Sequence, residues 1–194
     1  MRRSSAAWGL LLALSTLAGC ASLPSKVATL KARDVAEIFT VSGRIAARDI
    51  GDSKRGFSGG FSWDHRPGED VVELLTPLGQ IAARITMRAS GTSIELADGQ
   101  RATTQDPEQY LSRALGISLP ISALPYWMQA APVPSVPVRS EADAAGRPAA
   151  IWQNGWQIRY GEYTSESLAA HPTRIDLVQG DVEAKMIISE WKTP

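Results

Sequence analysis

The chain is poor in the residues that carry covalent chemistry. Its 194 residues include one cysteine, Cys20, and two histidines, His65 and His171. A single cysteine excludes an internal disulfide, a thiolate pair and a cysteine-based zinc cluster, so the fold has to stand on packing. His65 lies in a turn and His171 precedes Pro172, and no nearby nucleophile or paired acid gives either a catalytic setting. Two histidines so far apart make no metal motif. Neither sign of charge dominates, because 20 Lys and Arg balance 20 Asp and Glu. A basic stripe of the kind that follows phosphate backbones is missing, which argues against nucleic acid. The apolar stretch from Ala6 to Leu14 is too short to span a membrane as a helix.

What is present begins at the amino terminus. Arg2 and Arg3 precede the short apolar stretch, which ends in Leu17-Ala18-Gly19-Cys20. This is the order of an export signal with small residues before a cleavage point, and it resembles the lipobox of bacterial lipoproteins. A nucleophilic thiol is needed there to form the thioether to a diacylglycerol, and the only cysteine of the chain occupies that place. The expectation is a signal peptide over residues 1–19, removed to leave Cys20 lipidated, followed by a tether and N-terminal helix over 20–37 and one domain over 38–194. Two or more acyl chains give stable attachment where one does not. By the sorting rule that goes with the resemblance, Ala21 in place of an Asp directs the anchor to the periplasmic face of the outer membrane.

Past the tether, a weak helical pattern of Val27, Leu30, Val35 and Ile38 gives way to a period of two. Phe39, Val41, Gly43, Ile45 and Ala47 share one face of a half-buried strand. Phe57, Gly59, Phe61 and Trp63 mark a second strand, Val71 to Thr76 a third, Ile81, Ala83, Ile85 and Met87 a fourth, and Ser93 to Ala97 a fifth. Asp106-Pro107 opens a helix to about Leu115 with Tyr110, Leu111, Ala114 and Leu115 on its apolar face, ended by Gly116. Ser122 opens a second short helix containing Tyr126, Trp127 and Met128. Three prolines between Ala131 and Pro137 make a connection, and four more strands follow at 149–153, 156–160, 174–178 and 185–191. Short strands joined by short turns indicate an antiparallel meander whose edges need closure or cover.

Several segments, in this order, carry a family resemblance: Phe39-Thr-Val-Ser-Gly-Arg-Ile-Ala46, Gly56-Phe-Ser-Gly-Gly-Phe-Ser-Trp63, Glu73-Leu-Leu-Thr-Pro-Leu-Gly-Gln80, Leu119-Pro-Ile-Ser-Ala-Leu-Pro-Tyr-Trp127, Gly155-Trp-Gln-Ile-Arg-Tyr160 and Ile187-Ile-Ser-Glu-Trp191. Together they resemble LolB, the outer-membrane lipoprotein receptor family. The resemblance implies a mainly β fold, an unclosed antiparallel β-barrel with a helical cover enclosing an apolar cavity. It implies a receptor that takes lipoprotein acyl chains from the periplasmic carrier LolA and releases them into outer-membrane phospholipid. No bond is made or broken, and neither nucleotide nor metal is used. The chain is expected to act as a monomer.

The resemblance also places a protruding membrane-delivery loop at Pro77, Leu78 and Gly79, with Leu78 at its tip. Pro and Gly there favour a turn that exposes the leucine between them; a lone turn leucine also commonly folds back onto a core. Candidates to line the acyl-chain cavity are the aromatic and branched residues of the inward faces: Phe39, Val41, Phe57, Phe61, Trp63, Leu74, Ile85, Tyr110, Leu111, Tyr126, Trp127 and Trp156. Each is equally readable as ordinary core. Arg44 matches a family arginine but sits on the polar strand face and receives no role. Two other functions stay open from sequence, a structural or assembly lipoprotein that holds a protein partner and a generic lipid carrier.

Overall fold

A computed structural model describes residues 33–52 and 54–194. Cys20, the signal-like segment and most of the expected tether lie outside the described residues. The first six strands are β1 (Phe39–Asp49), β2 (Gly56–Arg66), β3 (Glu69–Leu75), β4 (Ile81–Arg88), β5 (Gly91–Leu96) and β6 (Arg101–Thr104). Two helices follow, α1 (Pro107–Leu115) and α2 (Leu124–Trp127), then β7 (Arg139–Ala142), β8 (Pro148–Gln153), β9 (Trp156–Tyr160), β10 (Arg174–Gln179) and β11 (Val182–Lys192).

All strands belong to one 11-stranded antiparallel sheet in the order β6-β5-β4-β3-β2-β1-β11-β10-β9-β8-β7. It is built of two meanders, β1 to β6 and β7 to β11, sewn together where β1 pairs with β11. The sheet curls without closing, and the chain crosses between its two edge strands through the helices. Alternation decides which side is inside: Val41, Ile45 and Ala47 on β1 and Phe61 and Trp63 on β2 are buried, whereas Arg44, Ala46 and Arg48 are exposed. The buried set from Phe39 to Ile188 forms one core within the described residues.

Local chemistry sets the element ends. Asp106 caps α1 by accepting from the Gln109 amide at 2.9 Å, Pro107 occupies the first turn, and Gly116 closes the helix at φ 73°. Gly59 has no side chain because a Cβ there would lie 1.8 Å from the Leu75 carbonyl oxygen. That crowding accompanies an irregular step in the β3–β4 ladder between Leu74 and Leu75. One consequence corrects the pattern read from sequence. Ile81 was expected on the face of Ala83, Ile85 and Met87, but the irregularity turns it outward to sit exposed opposite Leu75.

Other expectations also shift. The helical pattern ending at Val35 and Ile38 is not realised over residues 33–38, which run as a strap without helix. Gln129 takes both backbone groups of Ala36, accepting from its amide at 2.7 Å and donating to its carbonyl at 3.3 Å, so Ala36 has none left for a helical ladder. Ala114 is exposed, not on the buried face of α1. The strands on either side of Pro67-Gly68 reach right up to that turn, so His65, expected in the turn, belongs to β2 and pairs with Phe39 and Asp70, and β6 and β7 lack any apolar alternation that would have announced them.

Candidate functional site

Beneath α1 and the stretch that follows it, the inner surface of the sheet that lines the cavity is apolar. Ile45, Phe61, Trp63, Val72, Leu74 and Ile85, joined by Met186 of β11, face Leu111 of α1, Ile117, Leu119 and Ile121 of the connection, and Leu124 of α2. Between them lies a cavity of about 30 Å³ with no polar lining. A space of this size is adequate for one or two waters and too small for an acyl chain; even benzene needs an engineered void near ~150 Å³. As it stands the space under the cover does not hold an acyl chain. Among the described residues no hydrogen bond joins residues 107–122 to a strand.

Five sequence-chosen residues meet at this cavity: Phe61, Trp63, Leu74, Ile85 and Leu111. The Trp63 indole keeps its ring among them by donating outward to Asp70 Oδ1 at 2.6 Å, an oxygen that also lies 2.6 Å from His65 Nδ1. The remaining candidates lie elsewhere. Phe39 is stacked between His65 and Trp191, each 4.8 Å away, at one end of the sheet, and Val41 is fully buried on the same strand. Phe57 sits half-buried at the opposite rim. Tyr110 and Tyr126 are half-buried against the core. Trp127 and Trp156 pack together with ring centres 6.3 Å apart against the second meander.

That second contact is polar where the first is dry. Gln153 Oε1 accepts from the Trp127 indole at 3.0 Å and the Val133 amide at 2.8 Å, and its Nε2 donates to the carbonyls of Val133 and Val136. Tyr160 donates its hydroxyl to the Trp127 carbonyl at 3.0 Å, and burial pushes its acidity far down, keeping it a neutral donor. The lining residues not among the sequence candidates are Ile45, Val72, Leu124 and Met186 and, in the connection after α1, Ile117, Leu119 and Ile121. The alternation of these last three directly after Gly116 was a readable period-two signal, hidden because the segment is neither helix nor strand.

The turn joining β3 to β4 stands out of the fold. The Thr76 amide donates to Gln80 O at 2.8 Å and the Gly79 amide to Thr76 O at 2.9 Å, closing a three-residue loop of Pro77, Leu78 and Gly79. Gly79 takes φ 81°, the left-handed position such a loop needs, and Pro77 fixes the entry. Leu78 at the tip is 87% exposed, so it is not folded back onto the core. Ile81 and, on the β1–β2 loop at the same end of the sheet, Ile50 are also exposed.

At the other end, Arg33 ties the incoming strap to the 161–173 loop, donating to Leu168 O at 2.8 Å and Ala170 O at 2.7 Å. His171 stacks on Trp191 at 4.3 Å, completing a column of four rings from His65 through Phe39 and Trp191. Burial, helped by the Arg33 charge, holds His171 below its ordinary 6.5. Arg44 is exposed on the outward face. Among the described residues no three His, Cys, Asp or Glu side chains are grouped to hold a metal.

Comparison with known proteins adds to this geometry. Residues 37–191 match the family model described as outer membrane lipoprotein LolB. The outer-membrane lipoprotein LolB of Azoarcus sp. (strain BH72) is 37% identical over 91% of this chain and 89% of its own length. That of Dechloromonas aromatica (strain RCB) is 36% identical over 95% of this chain and 96% of its own. Among solved structures, a LolA superfamily protein from Nitrosomonas europaea superposes with a TM-score of 0.53, covering 84% of this chain and 88% of that one at 12% identity, a likeness of fold alone.

Proposed function

The chain belongs to the outer membrane lipoprotein LolB family, and from that premise we propose that it receives the acyl chains of lipoproteins under its helical cover and releases them into the outer membrane. The carrier that hands them over is the periplasmic LolA, and Cys20, lipidated after loss of residues 1–19, holds the receptor at the membrane facing the periplasm. The single observation that carries the reading is the dry seam between the cover and the first meander.

The energetics of that seam suit an exchange. Five aliphatic cover residues at about 1.5–3 kcal/mol each bring roughly 10 kcal/mol of burial to the closed state. A myristoyl-length chain at about 0.8 kcal/mol per methylene brings roughly the same. An acyl chain that replaces the cover therefore costs little net free energy, so small differences among carrier, receptor and bilayer decide the direction. No covalent step enters, and the work of the protein is to keep apolar surface dry during the hand-off. Pro77, Leu78 and Gly79 form the delivery element, with Leu78 entering the lipid interface.

The test is transfer of a radiolabelled lipoprotein from purified carrier to the chain from residue 20 carrying Cys20→Ala, followed by release to vesicles. The unaltered loop completes both steps. Leu78→Glu is expected to accept cargo as before and to lose most of the release, with thermal stability within about 0.5 kcal/mol of the parent because the side chain is exposed. Failure of a folded, monomeric parent to accept cargo would sink the reading, and equal loss of both steps in Leu78→Glu would remove Leu78 from its role.

A further inference from the structure

We propose that a cationic trough on the outward face of the sheet, at the same end as Leu78, binds the phosphates of anionic phospholipid head groups, those with no compensating cation of their own, and so fixes how the receptor stands on the bilayer. The inference rests on the reading of Leu78 as the membrane-facing tip and extends it to a second element. Outward positions on β1 and β2 are short here, Ala46, Gly56 and Ser58, so the surface between the strands is sunken. Long side chains wall it: Arg48, Lys54, Arg55, Arg159, Arg174 and Lys185. The resulting trough is about 860 Å³, far larger than the closed interior cavity.

Its charge departs from that of the chain. Six cations line it with two carboxylates, Asp176 and Glu183, and Arg55 is further offset by Asp49 at 3.5 Å, leaving an excess of three positive charges in a protein whose total is balanced. Glu183 is engaged by Arg48 at 2.7 Å, and Asp176 by Arg174 at 3.2 Å and Lys185 at 3.9 Å. Lys54 and Arg159 have no carboxylate within 4.0 Å among the described residues. Those two charges are available to an external anion.

Position selects the kind of anion. Arg48 pairs across to Gly56, and Leu75, which leads into the Leu78 loop, pairs with Gly60 four residues along the same strand. Trough and loop thus share one end of the sheet. A bilayer offers both things this end is shaped for, phosphates at its surface and hydrocarbon just below, the combination that holds interfacial segments. A protein partner would be expected to use a buried aromatic anchor. The only aromatic residue in the trough is Phe57, which is half-buried and packed against the core.

The experiment uses the chain from residue 20 with Cys20→Ala, so that no acyl anchor masks the surface, and keeps the whole described core. Co-sedimentation is measured with vesicles of phosphatidylglycerol and phosphatidylethanolamine, and with vesicles of phosphatidylcholine alone. The parent is expected to favour the anionic vesicles, and Lys54→Glu with Arg159→Glu to lower that partition at least about tenfold, as 0.5 M salt does to the parent, with melting unchanged. Leu78→Glu should lower binding to both vesicle types alike. Anionic binding by the double variant equal to that of the parent overturns the trough proposal and leaves Leu78 standing. So does a double variant that loses affinity for purified LolA while binding vesicles normally, which would make the trough a protein site. Unchanged vesicle binding by Leu78→Glu, with the trough effect intact, would instead count against the Leu78 reading.

Discussion

The helical cover meets the two halves of the sheet in opposite ways. Against the first meander, Leu111, Ile117, Leu119 and Ile121 line a cavity whose other lining side chains are all apolar, and no hydrogen bond crosses the seam among the described residues. Against the second, the end of α2 is held by Gln153 and Tyr160 and further tied to the incoming strap through Gln129. A dry contact is non-directional and can be traded for any other apolar surface at nearly equal free energy. A polar one cannot, because a separated donor or acceptor stays buried and unmatched. The molecule thus keeps a frame on one side and an exchangeable surface on the other.

The sharpest way to break this contrast is to remove the frame. Gln153→Leu leaves the Trp127 indole N–H, the Val133 amide and two carbonyls without their partner, the indole fully buried and the Val133 and Val136 groups partly so. At about 1–3 kcal/mol for each stranded group, partly relieved by relaxation, the loss should be about 4 kcal/mol in urea unfolding. Fatty-acid binding per folded molecule should stay near the parent value. If Gln153→Leu tightened binding, the second seam would be part of the gate and the contrast would fail.

Loosening the dry side should do the reverse. Leu111→Ala enlarges the closed cavity and weakens the hold of α1, for about 3 kcal/mol of stability. Displacement of a fluorescent fatty acid should nonetheless show several-fold tighter binding, because less cover has to be moved aside. Weaker binding in a variant that still folds would mean that Leu111 contacts the bound chain more than it bars it.

How far the sequence reported this arrangement depends on which contacts made a pattern. The inward strands of the first meander were legible because Phe61, Trp63, Leu74 and Ile85 repeat at the period of a pleated sheet. α1 was legible from Asp106, Pro107 and Gly116, each of which acts locally. The two edge strands were not: β6 is Arg-Ala-Thr-Thr and β7 Arg-Ser-Glu-Ala, with solvent on enough sides to erase alternation. The exposed Leu78 was expected from the family resemblance, because Pro77 and Gly79 make the turn without deciding which way the leucine points, whereas the outward trough joins β1, β9, β10 and β11, residues more than a hundred positions apart. Charge counted along the chain balances, and only the fold separates it into a cationic end. The polar bolt at Gln153 was missed for the same reason, since one glutamine in a strand carries no signature until Trp127 is brought against it.

The smallest expected effect concerns the junction of the two halves, where β1 meets β11 and the rings of His65, Phe39, Trp191 and His171 stack. The dry seam contains no titratable group, so acid should act on this junction first. His171 is held below 6.5 by burial and then by Arg33, and its Nδ1 finds no hydrogen-bond partner among the described residues. A histidine lowered in the folded state is taken up as neutral, while the unfolded chain binds the proton once the pH drops through 6.5. Stability is therefore full above that value and declines as the pH falls from about 7 toward 5, a range in which ordinary carboxylates stay ionised in both states. Asp64, held low by Arg66, and Glu95, held low by Arg101, add their losses only at more acidic pH. The melting temperature should fall gently over that upper window, and His171→Gln should flatten the fall without altering fatty-acid binding at pH 7. A slope that survives in His171→Gln would move the acid response to another group and leave the ring column as packing alone.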